Sequence, residues 1–585
     1  MGGMAAPTKT VNEIRVMVVG DSISHGHEGD WTWRYRIWQW FKQQRIAVRF
    51  VGPYKGTVPP DEYRPPRPPP LVSEPPDPAP PLRTNGGYAC GVEPEFLANS
   101  DHFAANGRQA YQAKDLIAEQ VAAYQPEFCL VELGFNDLGW RRCGPIETLA
   151  SIKQLIDQAR STKPDIKFAV ANIPHRTCLP GREDLPRDTD LYNDMLARAI
   201  PYWSSPRSPI ALVRFCENYS CGGTNSEAAY DGLHPNALGE YQIAQAFSRA
   251  LKSVFNFGHS ELAIPRNIPR RHVPTPANLE AVSAPSGIVI TWDAVYGAFG
   301  YDLQHRRAGS TNWDLTHVEC NRFDVRQLRK GQVVECRIRT SGGDSLKSPW
   351  SSIASAVADP ATAPPPINIA THATSNGFTI AWDPPPSPFV GEIDRYGVVL
   401  FDGDQPGVFP SIVGVRGDQA EFKGLTVGHR YYITMETWTT VGGGIPAAAR
   451  AVRVGRGIPA APTHVSVLAL DAHSVEISWP GAPDAAGYDL WLQRAKSSRD
   501  LQKTQAPKLG PPLIPIPCED AFTEDGARLL KAVLSDIDPP VWDWEFAISA
   551  YNGNDSSPLS EWVSPAPDEL SVAEGDAIHV EIRYK

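Results

Sequence analysis

One short pattern occurs three times in the C-terminal half of the chain: an alternating, β-branched segment that ends in tryptophan. The three segments are 288–292, 378–382 and 475–479, and a tyrosine follows each of them, at Tyr301, Tyr396 and Tyr488. Alternation of this kind is typical of strands with one buried face. Because the repeat has the length of a small domain, it predicts three all-β sandwich domains with each tryptophan in a core.

The first part of the chain has a different pattern of apolar residues. Apolar strand-like runs at 14–19, 128–133, 166–173 and 210–215 alternate with helix-like stretches near 111–124, 146–160, 189–199 and 237–255. This alternation is typical of a parallel sheet with helices on both faces. With 585 residues, the chain has room for several domains.

These patterns predict the domain organisation. We expect an α/β domain at 12–257 and sandwich domains at 273–360, 364–455 and 459–566, the last with an insertion at about 497–535, followed by a C-terminal tail at 567–585. Within the α/β domain, residues 59–81 contain twelve prolines and cannot form a helix or an inner strand. We interpret this segment as a surface insertion without a function of its own; a semi-rigid arm over the site or a docking ligand is the alternative.

Composition excludes several partners. Lys+Arg 55 against Asp+Glu 66 gives a net charge of −11, without a long basic run, so the electrostatic attraction that binds nucleic acid or an anionic membrane is missing. No window reaches the roughly 20 apolar residues of a membrane span. The N-terminus lacks a signal-peptide pattern, which predicts an intracellular chain, or a secreted one if the N-terminus has been trimmed.

The cysteines do not indicate a metal site. There are nine, and none has the C-x-x-C or Cys/His spacing of zinc ligands. We therefore expect no metal and no cofactor. Cys216 and Cys221 could close a small disulfide in an oxidising compartment, and buried free thiols are the alternative.

Three short blocks of the α/β domain carry candidate chemistry: 20–22 (Gly-Asp-Ser), 134–137 (Gly-Phe-Asn-Asp) and 231–234 (Asp-Gly-Leu-His). The first two follow predicted strands of one sheet, so they project from the same edge. Nucleophilic acyl transfer needs a hydroxyl, a base and an acid that orients the base, and Ser22, His234 and Asp231 supply one of each. The Ser22 backbone N–H, an N–H from a glycine loop and the Asn136 amide are suitable donors for an oxyanion.

At these residues the chain resembles the SGNH (GDSL-type) hydrolase family. The family's second-block glycine maps to Gly107, although Asn106 precedes it where the family often has an aromatic residue. The resemblance implies a flavodoxin-like three-layer α/β/α fold, a Ser22–His234–Asp231 triad that forms an acyl-enzyme, and an oxyanion hole of Ser22, Gly107 and Asn136. The sequence 20–26 around the nucleophile also looks like the branch that contains carbohydrate esterases.

The C-terminal repeats resemble fibronectin type III domains, whose strand-B tryptophan packs between two sheets. The second repeat also has the Leu425, Gly428 and Tyr431 spacing of a tyrosine corner, whereas the first has Val334 at the corner. We expect these immunoglobulin-like domains to act as spacers or as surfaces for a protein or polymer.

Four further residues are candidates for the substrate pocket: Asp21, His25, Trp31 and Asp137. Trp31 precedes the first long helix and could form a wall, whereas Trp33, Ile37 and Trp40 have helical spacing and are expected in the core. His25 lies near Ser22 but has no carboxylate three residues before it, which favours a loop or substrate-facing role over that of the base.

The leading hypothesis is a serine esterase that removes short acyl groups, above all acetyl, from a carbohydrate or a similar alcohol. The substrate is then an ester that can be attached to a polysaccharide. A lipase or lysophospholipase is one alternative, and a non-catalytic adhesive or scaffold protein is another.

Overall fold

The computed structural model describes residues 13–567 except 73, 76–77, 79, 406, 496–513, 518–528 and 538–539. Most of the insertion predicted at about 497–535, and the predicted tail apart from residue 567, lie outside the described residues. In the described part, an N-terminal α/β domain is followed by three pairs of mainly antiparallel sheets, which confirms the predicted fold class.

The α/β domain is built on one parallel sheet. Its strands are β1 (Ile14–Gly20), β2 (Val48–Phe50), β3 (Phe103–Ala104), β4 (Phe128–Glu132), β5 (Lys167–Ala171) and β6 (Ile210–Val213). Its helices are α1 (Ser22–His25), α2 (Trp33–Gln43), α3 (Pro94–Leu97), α4 (Ala110–Tyr124), α5 (Phe135–Gly139), α6 (Pro145–Thr162), α7 (Leu185–Trp203), α8 (Phe215–Asn218) and α9 (Ala237–Phe255). The strand order is β2-β1-β4-β5-β6, and β3 pairs with the end of β1 beyond β2.

Burial explains why these segments form a three-layer domain. In β1, Val16, Met17, Val18 and Val19 are all at most 1% exposed, as expected for a central strand covered on both faces. The expected core face of α2 is also buried, because Trp33, Ile37 and Trp40 are at most 1% exposed. The Trp33 ring stacks on Phe247 of α9 with 4.5 Å between ring centroids, so α2 and α9 pack together on one face of the sheet.

The strands of the three sandwiches follow in order. The first contains β7 (Glu280–Ala284), β8 (Gly287–Thr291), β9 (Tyr301–Arg307), β10 (Asp314–Val318), β11 (Arg322–Arg326), β12 (Val333–Thr340) and β13 (Ala354–Val357). The second contains β14 (Ile367–Thr374), β15 (Gly377–Asp383), β16 (Ile393–Asp402), β17 (Ser411–Val415), β18 (Gln419–Lys423), β19 (Arg430–Thr439), β20 (Gly442–Gly443), β21 (Ala447–Ala448) and β22 (Val452–Arg453). The third contains β23 (Ser466–Ala469), β24 (Val475–Pro480), β25 (Gly487–Arg494), β26 (Ile514–Pro517), β27 (Leu529–Leu534), β28 (Trp544–Asn552), β29 (Asp555–Ser556) and β30 (Ala566–Pro567), with a 3₁₀ turn at Val541–Asp543.

The repeated tryptophan and tyrosine form the same core contact in each sandwich. The pairs Trp292–Tyr301, Trp382–Tyr396 and Trp479–Tyr488 meet edge to face with ring centroids 5.2, 5.1 and 5.3 Å apart. Each tryptophan is at most 4% exposed. In the second sandwich the Tyr431 hydroxyl accepts a hydrogen bond from the backbone N–H of Thr426 at 3.2 Å, which is the predicted tyrosine corner.

The proline-rich segment 59–81 is not a free surface insertion. The Tyr63 hydroxyl hydrogen-bonds Asp324 of the first sandwich. Further along, the carbonyl of Pro70 accepts a hydrogen bond from the backbone N–H of Gly414 in the second sandwich at 2.7 Å. The segment therefore links the α/β domain to the first and second sandwiches, and the link at Pro70 uses a backbone carbonyl, the hydrogen-bonding group that proline keeps.

Candidate active site

Three loops leave the sheet side by side at the carboxyl ends of β1, β3 and β4. Gly20 at the end of β1 is paired with Ala104 of β3 and with Glu132 of β4. The segments that follow these strands therefore start next to one another. This edge of an open α/β sheet is where ligands usually bind.

Ser22 begins α1 directly after β1. Gly20 permits this sharp turn, because a Cβ at that position would lie 2.3 Å from the Ser24 hydroxyl oxygen. The Asp21 carboxylate accepts a hydrogen bond from the backbone N–H of Ile23 at 2.9 Å and so caps the short helix. Ser22 remains 8% exposed at the edge of the sheet.

His234 contacts Ser22 from the loop before α9. Its Nε2 lies 2.9 Å from Ser22 Oγ, and its Nδ1 lies 2.7 Å from Asp231 Oδ2. The other oxygen of Asp231 accepts hydrogen bonds from the backbone N–H groups of Leu233 at 3.0 Å and His234 at 2.8 Å. The carboxylate is thus held against the imidazole, and the three side chains form one hydrogen-bonded chain. This is the geometry in which an imidazole can take a proton from a hydroxyl.

The contact between His234 and Asp231 shifts their pKa values in opposite directions, so that the charged form of each is favoured. Burial alone would lower the pKa of His234, but the hydrogen bond and negative charge of Asp231 outweigh it, so the pKa lies above the ordinary value of 6.5. For Asp231, burial would raise the pKa, but the hydrogen bond from His234 and its charge lower it to about 2. Asp231 is therefore ionised at neutral pH and favours a protonated imidazole beside it.

Gly107 and Asn136 lie on the two neighbouring loops. Gly107 has a φ of 73°, in the left-handed region that favours glycine, and a Cβ there would lie 2.8 Å from the Trp140 ring. The Asn136 amide donates hydrogen bonds to the carbonyl of Arg108 at 3.1 Å and to Asp21 Oδ2 at 3.3 Å. These contacts tie the loop after β4 to both the loop after β3 and the turn that carries Ser22.

Two predicted pocket candidates are buried inside the domain. His25 has no exposed surface, and its Nδ1 accepts a hydrogen bond from the backbone N–H of Asn106 at 3.2 Å. Burial lowers the pKa of His25 to about 3, so it is neutral. Its position corrects the expectation of a loop or substrate-facing group, because His25 supports the loop of Gly107 from behind.

Asp137 is also fully buried, and both of its carboxylate oxygens are used. They accept hydrogen bonds from the backbone N–H groups of Ala110 at 2.7 Å and Tyr111 at 2.9 Å. Asp137 therefore caps the N-terminus of α4. This corrects its expected place on the pocket wall: the residue joins α5 to α4.

A buried acid that the sequence analysis did not single out, Glu132, lies beside Asp21. Glu132 is 2% exposed and accepts a hydrogen bond from the Ser24 hydroxyl at 2.8 Å. Burial raises its pKa well above the usual value, and burial also raises the pKa of Asp21 to about 6. The signal in the sequence was an acid at the end of an otherwise apolar strand. Asp21, the fourth pocket candidate, thus belongs to a buried acidic pair that holds Asn136.

A cavity of about 1150 Å³ lies between the α/β domain and the first sandwich. Trp31 and Tyr230 line it on one side, and Tyr296 and Phe299 line it on the other. Trp31 thus lies on the wall of this cavity, and its role in a substrate pocket stays a prediction. Its ring stacks on Tyr35 with centroids 5.8 Å apart.

Three further structural observations concern metals, cysteines and membrane-spanning helices. Across the described ranges, no group of three or more His, Cys, Asp or Glu side chains is arranged to hold a metal ion. Cys216 and Cys221 are both free thiols. None of the helices in the portion that the structure describes has the length and apolar character to cross a membrane.

Comparison with known proteins agrees with both parts of the fold. Residues 16–247 match the family model of GDSL-like lipases and acylhydrolases, and residues 362–453 match that of the fibronectin type III domain. The curated protein sidekick-1 of Gallus gallus is 24% identical over 298 residues, a match that spans 47% of this chain and 13% of that protein.

Two solved structures are similar to part of this chain. An acetyl esterase mutant crystallised with acetate is 21% identical, and a carbohydrate esterase of family 3 from Talaromyces cellulolyticus is 22% identical. Each match covers 41% of this chain and 97% of the solved chain, with a TM-score of 0.30.

The α/β domain is that of a serine hydrolase acting on carboxylic esters. Within this class, residues 16–247 form an SGNH (GDSL-type) hydrolase domain, and residues 362–453 form a fibronectin type III domain.

Proposed function

We propose that the chain removes short acyl groups, above all acetyl, from a large hydroxyl-rich alcohol such as a carbohydrate, through a covalent Ser22 intermediate. The observation that carries this proposal is the hydrogen-bonded chain from Ser22 through His234 to Asp231, with distances of 2.9 and 2.7 Å.

In the first half of the reaction Ser22 Oγ attacks the ester carbon. His234 Nε2 takes the hydroxyl proton as the new C–O bond forms, and Asp231 stabilises the resulting imidazolium. When the tetrahedral intermediate collapses, the bond to the alcohol breaks and His234 returns the proton to the departing oxygen. The acyl group is left on Ser22.

In the second half, water replaces the alcohol. His234 removes a proton from the water as it attacks the acyl carbon, and the same proton then goes to Ser22 Oγ as the free acid leaves. Asp231 is ionised throughout. The enzyme returns to its starting state without a metal or cofactor taking part in these steps.

The oxyanion of each tetrahedral intermediate would be bound by the backbone N–H groups of Ser22 and Gly107 and by the amide of Asn136. The weaker of the two hydrogen bonds of the Asn136 amide, 3.3 Å to Asp21, is the one that the oxyanion would replace. Because the hydrogen bond to the Arg108 carbonyl at 3.1 Å would be kept, the amide stays oriented and only one contact has to be exchanged, which is what makes such donors effective.

Two observations support a short acyl group and a large alcohol. The Trp140 ring lies against Gly107, so the indole limits the space beside the proposed oxyanion hole. In contrast, the cavity of about 1150 Å³ on the far side of Tyr230, which neither Ser22 nor His234 lines, has aromatic walls and room for a molecule much larger than an acetyl group. The buried carboxyl groups of Asp30 and Glu240 also line this cavity, and aromatic faces together with buried carboxyl groups suit a hydroxyl-rich ligand.

A panel of esters tests the proposal. We expect hydrolysis of acetyl and propionyl nitrophenyl esters and of an acetylated oligosaccharide, with activity falling as the acyl chain lengthens. The Ser22→Ala variant is run beside the wild type on every substrate. A preference for long acyl chains that is lost in this variant would instead indicate a lipid ester hydrolase, and the short-chain part of the proposal would be wrong.

The reaction should lose rate in acid. His234 acts as a base only when neutral, and its pKa lies above 6.5. We therefore expect kcat/KM to fall about tenfold per pH unit below that pKa. The measurement is kcat/KM for an uncharged acetyl ester from about pH 5 to about pH 8. A flat profile across this range would show that His234 is not the base.

A further inference from the structure

A column of stacked side chains runs from His234 into the first sandwich. The Tyr230 ring stacks on the His234 imidazole with centroids 5.7 Å apart and an interplanar angle of 21°. The Phe299 ring covers the other face of Tyr230, with centroids 3.6 Å apart and an angle of 14°. The Arg271 guanidinium lies 3.8 Å above the Phe299 ring. Tyr230 belongs to the α/β domain, whereas Phe299 belongs to the first sandwich.

The His27 ring packs against one side of this column. It meets Tyr230 and Phe299 edge-on, at centroid distances of 6.2 and 5.8 Å and angles of 90° and 89°. Arg271 is fixed by hydrogen bonds to the carbonyl of Glu28 and to the carboxylate of Asp30. The side chains of Arg271 and Asp30 are 12% and 8% exposed, so this ion pair is almost entirely out of the solvent.

The backbone of the same loop is also held by the sandwich. The N–H of Asp344 donates a hydrogen bond to the carbonyl of Tyr230 at 2.6 Å. Gly343 has a φ of 108°, and a Cβ there would lie 2.6 Å from Tyr230, so the sandwich loop approaches as closely as glycine allows. Within the catalytic loop, the N–H of Tyr230 donates to the carbonyl of His234 at 2.9 Å.

We infer that the first fibronectin type III-like sandwich contributes to catalysis by the hydrolase domain. Its Phe299 is a positioning residue that holds Tyr230 in place and thereby the His234 imidazole. This inference rests on the proposed function of Ser22 and His234. Nε2 must stay within hydrogen-bond distance of Ser22 during two proton transfers, and a ring that can tilt loses that alignment. Tyr230 limits the tilt only while its outer face is covered.

The test uses the full chain with Phe299→Ala, and Phe299→Tyr as the conservative variant. We expect kcat for an acetyl nitrophenyl ester to fall about 10- to 100-fold in Phe299→Ala with KM changed less than about threefold, because alignment and not binding is lost. Phe299→Tyr keeps the stacked ring and should restore most of kcat. Phe409→Ala is the matched control, since Phe409 is 91% exposed on the second sandwich.

Two further measurements distinguish a loss of His234 alignment from a loss of folding and from a failure of the proposed function. The rate at which a fluorophosphonate labels Ser22 depends on His234 but not on substrate binding by the cavity, and we expect it to fall in parallel with kcat. Far-ultraviolet circular dichroism shows whether each variant is folded; if Phe299→Ala does not fold, Phe299→Leu, which keeps the volume without the ring, takes its place. Wild-type kcat and labelling rate in a folded variant would overturn the inference. Activity that does not depend on Ser22 at all would overturn the proposed function instead.

Discussion

Replacing Ser22 by alanine is expected to abolish ester hydrolysis while leaving the protein folded. Ser22 Oγ supplies the electron pair for the attack, and no neighbouring group stands in for it at 2.9 Å from His234 Nε2 in the described site. Loss of a triad nucleophile costs on the order of 10⁴- to 10⁶-fold in kcat. The measurement is steady-state hydrolysis of an acetyl nitrophenyl ester, with circular dichroism and thermal unfolding as checks on the fold.

The matched control for this variant is Ser161→Ala. Ser161 is an exposed serine near the end of α6 whose hydroxyl bonds only the carbonyl of Gln158 in the same helix. The Ser161→Ala variant should retain the kcat of the wild type. Activity in Ser22→Ala within tenfold of the wild type would remove Ser22 from the mechanism.

The second large effect is expected for Asp231→Asn. The amide keeps the shape of the side chain but loses the charge that raises the pKa of His234 and presents an N–H where an acceptor is needed. The imidazole then adopts the wrong tautomer, and kcat should fall about 10³- to 10⁴-fold. The acid limb of the remaining activity should also move to lower pH, because the pKa of His234 drops without Asp231.

The chain contains a control pair of the same chemistry. Asp190 accepts from His175 at 2.8 Å on the surface of the same domain, where its side chain is 70% exposed. Asp190→Asn should therefore leave kcat and the pH profile unchanged. Equal effects of the two Asp→Asn changes would mean that a general loss of charge, and not the orientation of His234, sets the rate.

The parts of the site that local sequence can specify were predictable. Ser22 follows a run of buried apolar residues that only a central strand accommodates, and His234 lies three residues after Asp231, close enough for the two to meet within one turn of loop. The strand-end rule of parallel sheets then places Asn136 next to Ser22. The tryptophan and tyrosine cores of the sandwiches were predictable for the same reason, since alternation and spacing specify a buried face.

The remainder depends on contacts between residues far apart in sequence. In the sequence Glu132 is an ordinary acid at the end of a strand, but the fold buries it beside Asp21, and burial raises the pKa of both carboxyl groups. His25 was expected near the substrate because it is close to Ser22 in sequence, but the short helix turns its ring into the core. The spacing of residues along the chain does not specify the direction in which a side chain such as that of His25 points.

The domain interface is the clearest example of this limit. Tyr230 and Phe299 have no periodic relation, yet they form the shortest aromatic stack among those described, at 3.6 Å. The prolines of 59–81 likewise excluded a helix or an inner strand but did not indicate the partners of the segment, which lie in the first and second sandwiches. The first sandwich thus adjoins the candidate active site, in a position that sequence patterns alone could not indicate.

The most direct measurement of the central claim is labelling of the purified full chain with a fluorophosphonate, followed by mass spectrometry of its peptides. The probe reacts only with a serine whose hydroxyl is activated by a base. We predict a single modified residue, Ser22, with labelling abolished in Ser22→Ala and strongly slowed in His234→Ala. An unlabelled Ser22 in the folded wild-type protein, or labelling that does not depend on His234, would contradict the proposed mechanism.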